Sequence, residues 1–232
     1  MTVARWSGQL LNLFFPNVCQ ACGEALLKQE KVVCFSCLYK LPKTGFHLHD
    51  ENPVSRVFWG RVDLNAASSF LFFSKGGKVQ HLIHSLKYKG NQETGVYLGK
   101  LFGTDLQKSE LFKSVDLVIP VPLHPKKQHK RGFNQSRSIA KGIGETMEIP
   151  LVTNKLIRII NTSTQTKKSR DGRWDNVKNA FEVKGVSSLE NKHILLVDDV
   201  LTTGATLESC AQNLLKIQGV KVSIATLAYA LV

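Results

Sequence analysis

The chain has 232 residues, 43% of them hydrophobic and 21% charged, with a formal net charge of +13 from 31 Lys and Arg against 18 Asp and Glu. That suits one medium globular domain, or a domain with a small appendage. The cationic excess favours polyanionic partners and phosphorylated ligands without choosing between them. No apolar run reaches the roughly 18–20 residues that span a bilayer.

In chain order, residues 1–18 are expected to form a short N-terminal helix. Leu10, Leu11, Leu13, Phe14 and Phe15 make it amphipathic, and no small-residue cleavage site precedes Cys19, so a signal peptide is not the reading. A membrane-surface anchor stays open. Residues 19–38 hold Cys19-x2-Cys22 and Cys34-x2-Cys37, the spacing of two ligand pairs that close a tetrahedral zinc–thiolate site. With all four positions filled by thiolates the site is structural, and cysteine–metal usage points to a reducing cytoplasm. Residues 39–60, with Pro42, Gly45, Pro53 and Gly60, read as a linker.

From residue 61 to 232 strand and helix signals alternate. Leu64–Phe73 is a strand candidate, and Lys78–Tyr88 has helical spacing with Val79, Leu82, Ile83 and Leu86 on one face. A helix is expected over Gln92–Leu106, a buried strand over Val115–Val121, a helix over Asn134–Met147 and a strand over Leu156–Ile160. A basic loop-helix follows, then strands at Ala180–Val183 and His193–Val197, a helix at Ala205–Ile217 and a strand at Val220–Leu227. Apolar strands alternating with helices indicate an α/β fold, a parallel sheet covered on both faces.

The most informative segment is Ile194–Thr206. Asp198 and Asp199 follow four apolar residues at the carboxyl end of a strand, where open α/β sheets place ligands. Gly204 permits a tight turn, so that successive N–H groups and the following helix terminus face an anion. Thr202, Thr203 and Thr206 add hydroxyl donors. Carboxylates beside an anion site are reasonable when they face sugar hydroxyls and the amides face a phosphate, which is the layout of a ribose 5-phosphate. The plainer alternative makes Thr203 a helix cap and the acids a solvated turn.

Two further basic segments are Val121-Pro-Leu-His-Pro-Lys-Lys127 and Lys130-Arg-Gly-Phe-Asn-Gln-Ser136. Arg131 is suited to clamping a pyrophosphate, and Asn134 and Ser136 to capping a helix. A third runs from Gln165 through Lys167 and Lys168 to Arg173, followed by Asn176 and Phe181. Each could equally be a solvated face. Cys210 reads as a small core residue.

Taken together, these elements resemble a known family. Ile194–Thr206 resembles the phosphoribosyl diphosphate (PRPP) motif of type I phosphoribosyltransferases, with Ala205 where many members have Gly. The cysteine knuckle, Leu86-Lys-Tyr-Lys-Gly90, Pro120-Val-Pro-Leu123, Arg131-Gly-Phe-Asn-Gln135 and Gln165…Arg173…Asn176…Phe181 resemble the ComF/GntX family in order and over nearly the whole chain. Lys167 and Lys168 depart from that pattern, replacing a frequent Leu. The resemblance implies a type I phosphoribosyltransferase-like sheet with a small N-terminal four-cysteine zinc module. It also implies PRPP bound with Mg²⁺ and a setting in natural competence, with single-stranded DNA and a competence helicase as partners. Within it, Asp198 and Asp199 would serve the ribose, and Thr202, Thr203, Gly204, Ala205 and Thr206 the 5′-phosphate. Val121, Pro122, Leu123 and Arg131 would face the pyrophosphate, with Gln165, Lys167, Lys168 and Arg173 on a closing loop. Turnover as a transferase of nucleotide metabolism, and non-catalytic binding of DNA or a partner, both stay open.

Overall fold

The computed structural model describes residues 17–88, 91–159 and 180–230. The expected N-terminal helix and the basic segment holding Gln165, Lys167, Lys168 and Arg173 lie outside the described residues, as do Lys89, Gly90 and Asn176.

Hydrophobic strands dictate the centre of the molecule. Ile194, Leu195, Leu196 and Val197 are all fully buried, each such side chain contributing roughly 1.5–3 kcal/mol. They belong to β5 (His193–Leu201), which pairs in parallel with β2 (Leu117–Pro120) on one side and β6 (Lys221–Ala230) on the other. β1 (Ala66–Phe73) pairs in parallel with β6, giving the order β1-β6-β5-β2. Alternation along β5 sends Leu195 and Val197 into one core and Ile194 and Leu196 into the other, so the sheet needs cover on both faces.

On the first face lie α3 (Lys78–Tyr88), α4 (Gln92–Leu106) and α6 (Gln135–Met147). Helices α4 and α6 touch through glycine: a Cβ on Gly99 would stand 2.2 Å from the Ile139 carbonyl oxygen, and one on Gly142 2.1 Å from that of Val96. The second face is covered by α7 (Ala205–Leu214) and by a segment containing a 3₁₀ turn at Phe46–Leu48 and the short helix α2 (Pro53–Arg56). Asn52 starts α2 with a capping box, its side chain accepting from Val54 and Ser55 N–H while Ser55 Oγ accepts from the Asn52 N–H. The Asn52 amide group also donates to the Ala67 carbonyl at 2.9 Å, pinning the segment to β1.

The structure departs from the sequence expectation in three places. Leu156–Arg158 (β3) and Phe181–Val183 (β4) do not join the parallel sheet; they form an antiparallel pair of their own. Pro125–Arg131, which spans the two basic segments and has no helix assigned to it from sequence, is a helix (α5) with Pro at its first position, where a missing N–H costs nothing. Strand β5 runs on to Leu201 instead of stopping at Val197, because Asp198, Val200 and Leu201 stay in register with Thr226, Ala228 and Tyr229.

The cysteine segment is joined to the first core. Cys19, Ala21, Val32, Val33 and Cys37 are buried with Phe70, Val79 and Leu82. A short helix, α1 (Phe35–Tyr39), carries Cys37. Two bonds tie the segment to α3: Ser85 Oγ donates to Gln20 Oε1 at 2.6 Å, and His81 Nδ1 lies 3.0 Å from the Ala21 carbonyl. Among the described residues no helix is long and apolar enough to cross a membrane.

Candidate functional site

The acidic pair sits where β5 passes the end of β2, and two helices converge on it. Asp199 Oδ2 lies 2.8 Å from Lys87 Nζ, brought there by the last turn of α3. Asp198 Oδ1 accepts from Ser136 Oγ at 2.8 Å, on the first turn of α6, and from the Asp199 N–H at 2.9 Å. Desolvation, and then the neighbouring Asp199 charge, push the Asp198 carboxyl up to about 7 from an ordinary 3.8, against the opposing pull of the Ser136 hydroxyl.

Immediately after, Gly204 takes φ +75° and forms the N-cap of α7 without a side-chain cap. Its backbone conformation is left-handed, and a Cβ there would stand 2.9 Å from both Phe58 and Val57, so the turn requires glycine twice over. This decides against a Thr203 cap. Thr202 and Thr203 are exposed, and Ala205 and Thr206 half-buried. The first-turn amides of α7 lack intrahelical partners by construction and carry the positive end of the helix dipole.

The turn is held from behind by Arg61. Its guanidinium donates to the Thr203 carbonyl at 3.0 Å and the Val57 carbonyl at 2.9 Å, and forms an ion pair with Glu208 of α7. A cavity of about 650 Å³ lined by Asp50, Glu51, Ser55, Phe58, Trp59 and Arg61 among others shares these supports, but Asp198, Asp199, Thr202, Thr203 and Thr206 do not line it.

Beside β5, the Val121 N–H donates to the Val197 carbonyl at 2.8 Å, carrying Val121, Pro122 and Leu123 past the end of the sheet. Asn134 reinforces that path: its Nδ2 donates to the Val121 carbonyl at 2.9 Å while its Oδ1 caps Ser136 N–H at 3.0 Å. Arg131 Nη1 donates to Gln135 Oε1 at 3.1 Å. Phe133 and Phe181, aromatics on the basic segments, are both buried, so neither ring is available to stack on a base. Cys210 is fully buried, and burial holds its thiol well above the usual range, in keeping with a core role.

Sequence reasoning missed Lys87, Ser136, Arg61 and Phe58 as parts of this site. Lys87 lay within Leu86-Lys-Tyr-Lys-Gly90 and Ser136 was read only as a cap; Arg61 and Phe58 reach the loop across some 140 residues, and no local pattern announces them.

The four cysteines Cys19, Cys22, Cys34 and Cys37 form a cluster that can hold a metal ion. Their sulfurs all lie within 4.8 Å of one another, with Cys22 and Cys34 Sγ 3.9 Å apart. A tetrahedral zinc–thiolate site has S···S edges of about 3.8 Å, so the arrangement fits. Backbone N–H groups of Cys34 and Cys37 donate to the sulfurs of Cys19 and Cys34 at 3.3 and 3.4 Å, which stabilises thiolates.

A parallel sheet carrying an acidic pair and a glycine turn at one strand end is the architecture of a phosphoribosyl transferase domain, and residues 131–231 match the family model of that description. DNA utilization protein YhgH of Escherichia coli is 28% identical over 208 residues, covering 86% of this chain and 85% of that protein. Competence protein ComFC of Bacillus subtilis is 29% identical over 203 residues, covering 82% and 81%. Competence protein F of Haemophilus influenzae is 34% identical over 128 residues, covering 54% and 56%. The chain is thus similar, over most of its length, to proteins named for competence and DNA utilization, and it carries a phosphoribosyl transferase domain.

Proposed function

We propose that the end of β5 holds a ribose 5-phosphate group, as PRPP or a related ribose phosphate, in the service of DNA uptake. The observation that carries this reading is the juxtaposition of Asp198 and Asp199 with the Gly204 turn on one strand end, a diol-facing group next to an anion-facing one. The acidic pair meets the ribose hydroxyls, and the amides and hydroxyls of Thr202, Thr203, Gly204, Ala205 and Thr206 take the 5′-phosphate. Val121, Pro122, Leu123 and Arg131 flank the position of the pyrophosphate, which brings Mg²⁺ with it. Gln165, Lys167, Lys168 and Arg173 are the residues assigned to close over it. Cys19, Cys22, Cys34 and Cys37 hold a structural zinc ion.

The relatives' names, DNA utilization and competence, support a role in DNA handling; the same reading assigns a cytoplasmic setting with single-stranded DNA and a helicase as partners. The knuckle supports contact with a strand: Phe35 and Tyr39 stand one helical turn apart, 55% and 90% exposed, and Lys28, Lys31 and Lys40 in the same stretch of chain are exposed as well. Exposed aromatics interleaved with cations suit base stacking and backbone attraction.

Calorimetric titration of the full chain with PRPP and Mg²⁺ tests the reading. Saturable binding that falls at least about tenfold in Asp199→Asn is expected, and absence of binding overturns it. Pyrophosphate release in the same samples, with bases and amines supplied, separates a transferase from a binding protein.

A further inference from the structure

Resting on the ribose phosphate reading, one feature of the acidic pair goes beyond it. Two adjacent carboxylates beside a site for a multiply charged anion repel both each other and the ligand. The two carboxyls are, however, treated very differently by their surroundings. Asp199 forms an ion pair with an ammonium, Lys87 Nζ, at 2.8 Å. Asp198 receives two neutral donors, Ser136 Oγ and the Asp199 N–H, and both fall on the same oxygen, Oδ1.

We propose that Ser136 is a positioning residue that, with the Asp199 N–H, fixes Oδ1 of Asp198 as the acceptor and leaves this carboxyl's proton on Oδ2, so that the pair meets its ligand with one negative charge, on Asp199. Asp198 then donates a hydrogen bond to a ribose hydroxyl while Asp199 accepts one. A diol, each of whose hydroxyls both donates and accepts, is matched by such a donor–acceptor pair better than by two acceptors.

The charged and titratable groups facing Asp198 come from every element around it. Asp199 on β5 disfavours a second charge, whereas Lys87 on α3 and Arg158 on β3 favour one. The Cys210 thiol on α7 is held neutral by burial, and Thr226 is the register neighbour on β6. Arg158 is itself stacked over Phe181, 5.3 Å from the ring centroid, and is partly desolvated. Burial and Asp199 outweigh the two cations, and the net shift of the Asp198 carboxyl is upward.

Infrared difference spectroscopy of the full chain between about pH 6 and pH 8.5 tests the assignment without any ligand. A carboxylic C=O band is expected at the lower pH that disappears at the higher one and is missing in Asp198→Asn. Ser136→Ala, which removes a donor that favours ionisation, moves the midpoint to higher pH; Asp199→Asn, which removes the repelling charge, moves it lower. A residue that merely supports packing leaves the midpoint where it was. No such band, or a midpoint unmoved by Ser136→Ala, overturns the inference.

Calorimetry with ribose 5-phosphate then separates this inference from the reading it rests on. Asp198→Asn, a mimic of the protonated acid, is expected to keep binding within about threefold of wild type near pH 6 and to exceed it above pH 8, while Asp199→Asn loses about tenfold or more throughout. Taking the ratio to wild type cancels the ligand phosphate's own ionisation near pH 6. Equal losses in both variants overturn the proton assignment and leave the ribose phosphate reading intact. A protein with the Asp198 band but no affinity at any pH supports the assignment and overturns the reading.

Discussion

Lys87 Nζ and Asp199 Oδ2 stand 2.8 Å apart, joining the last turn of α3 to the exit of the central strand. The pair is mostly enclosed, with side chains 24% and 16% exposed, so neither charge is fully rehydrated when the other is removed. Lys87→Met is expected to cost about 1–3 kcal/mol of folding stability. Urea denaturation measures it, and an unchanged midpoint would show the pair to be a surface contact.

Gly204 gives the sharpest test of the phosphate turn. Gly204→Ala imposes a left-handed φ on an L side chain and drives its Cβ to 2.9 Å from Phe58 and Val57. A loss of about 1–3 kcal/mol is expected, together with loss of PRPP affinity. Preserved stability alongside abolished binding would mean that the turn, and not the fold, bears the strain.

Metal removal should be felt well away from the cysteines. Cys19 and Cys37 share a core with Phe70 and Val79, so chelation is expected to lower the melting temperature by several degrees, in line with about 1–3 kcal/mol for a domain of this size. Protein purified without chelator should carry about one zinc per chain. Metal-free protein with an unaltered melting curve would sink the structural role.

The knuckle's exposed rings offer a separable prediction. Phe35→Ala and Tyr39→Ala should each weaken single-stranded DNA binding by about 1–3 kcal/mol, leave PRPP binding intact and retain a steep salt dependence. Fluorescence anisotropy at two salt concentrations reads this out. An unaltered affinity in both variants would place the strand elsewhere.

Asp198 should make stability fall as pH rises. A folded-state carboxyl raised to about 7 from an ordinary 3.8 keeps its proton where the unfolded chain has already released it. The folded state therefore binds more protons between about pH 4 and pH 7, and its stability decreases across that window before levelling off. In Asp198→Asn the decrease is removed, so the variant gains on wild type through that window and holds the gain at pH 8. Equal slopes for the two proteins would mean that Asp198 titrates normally.

Much of this was legible from residue order. Lys78–Tyr88 emerged with its observed ends because four apolar positions share one helical face, and the acidic pair was placed at a strand end because four apolar residues precede it. What escaped was long-range. Leu156–Arg158 and Phe181–Val183 carry strand composition, but nothing in either run specifies that each pairs with the other and not with the main sheet. Pro125 did carry a local sign, a proline at a first helical position, that was overridden by the charge of the lysines after it. The hydrogen bond from Ser136 to Asp198 joins residues 62 apart in the chain, and periodicity has no access to such contacts.

The support of Thr203 and Gly204 by Arg61 and Phe58 bears on how portable the phosphate loop is. A segment cut from Ile194 to Thr206 and grafted onto another parallel sheet would lack the guanidinium that grips its carbonyl and the ring that fills the space beneath its glycine. Anyone building a chimera, or tracing which stretches of these proteins can be exchanged by recombination, should treat residues 57–61 and 203–208 as one inheritable unit, although three of the sheet's four strands are encoded between them.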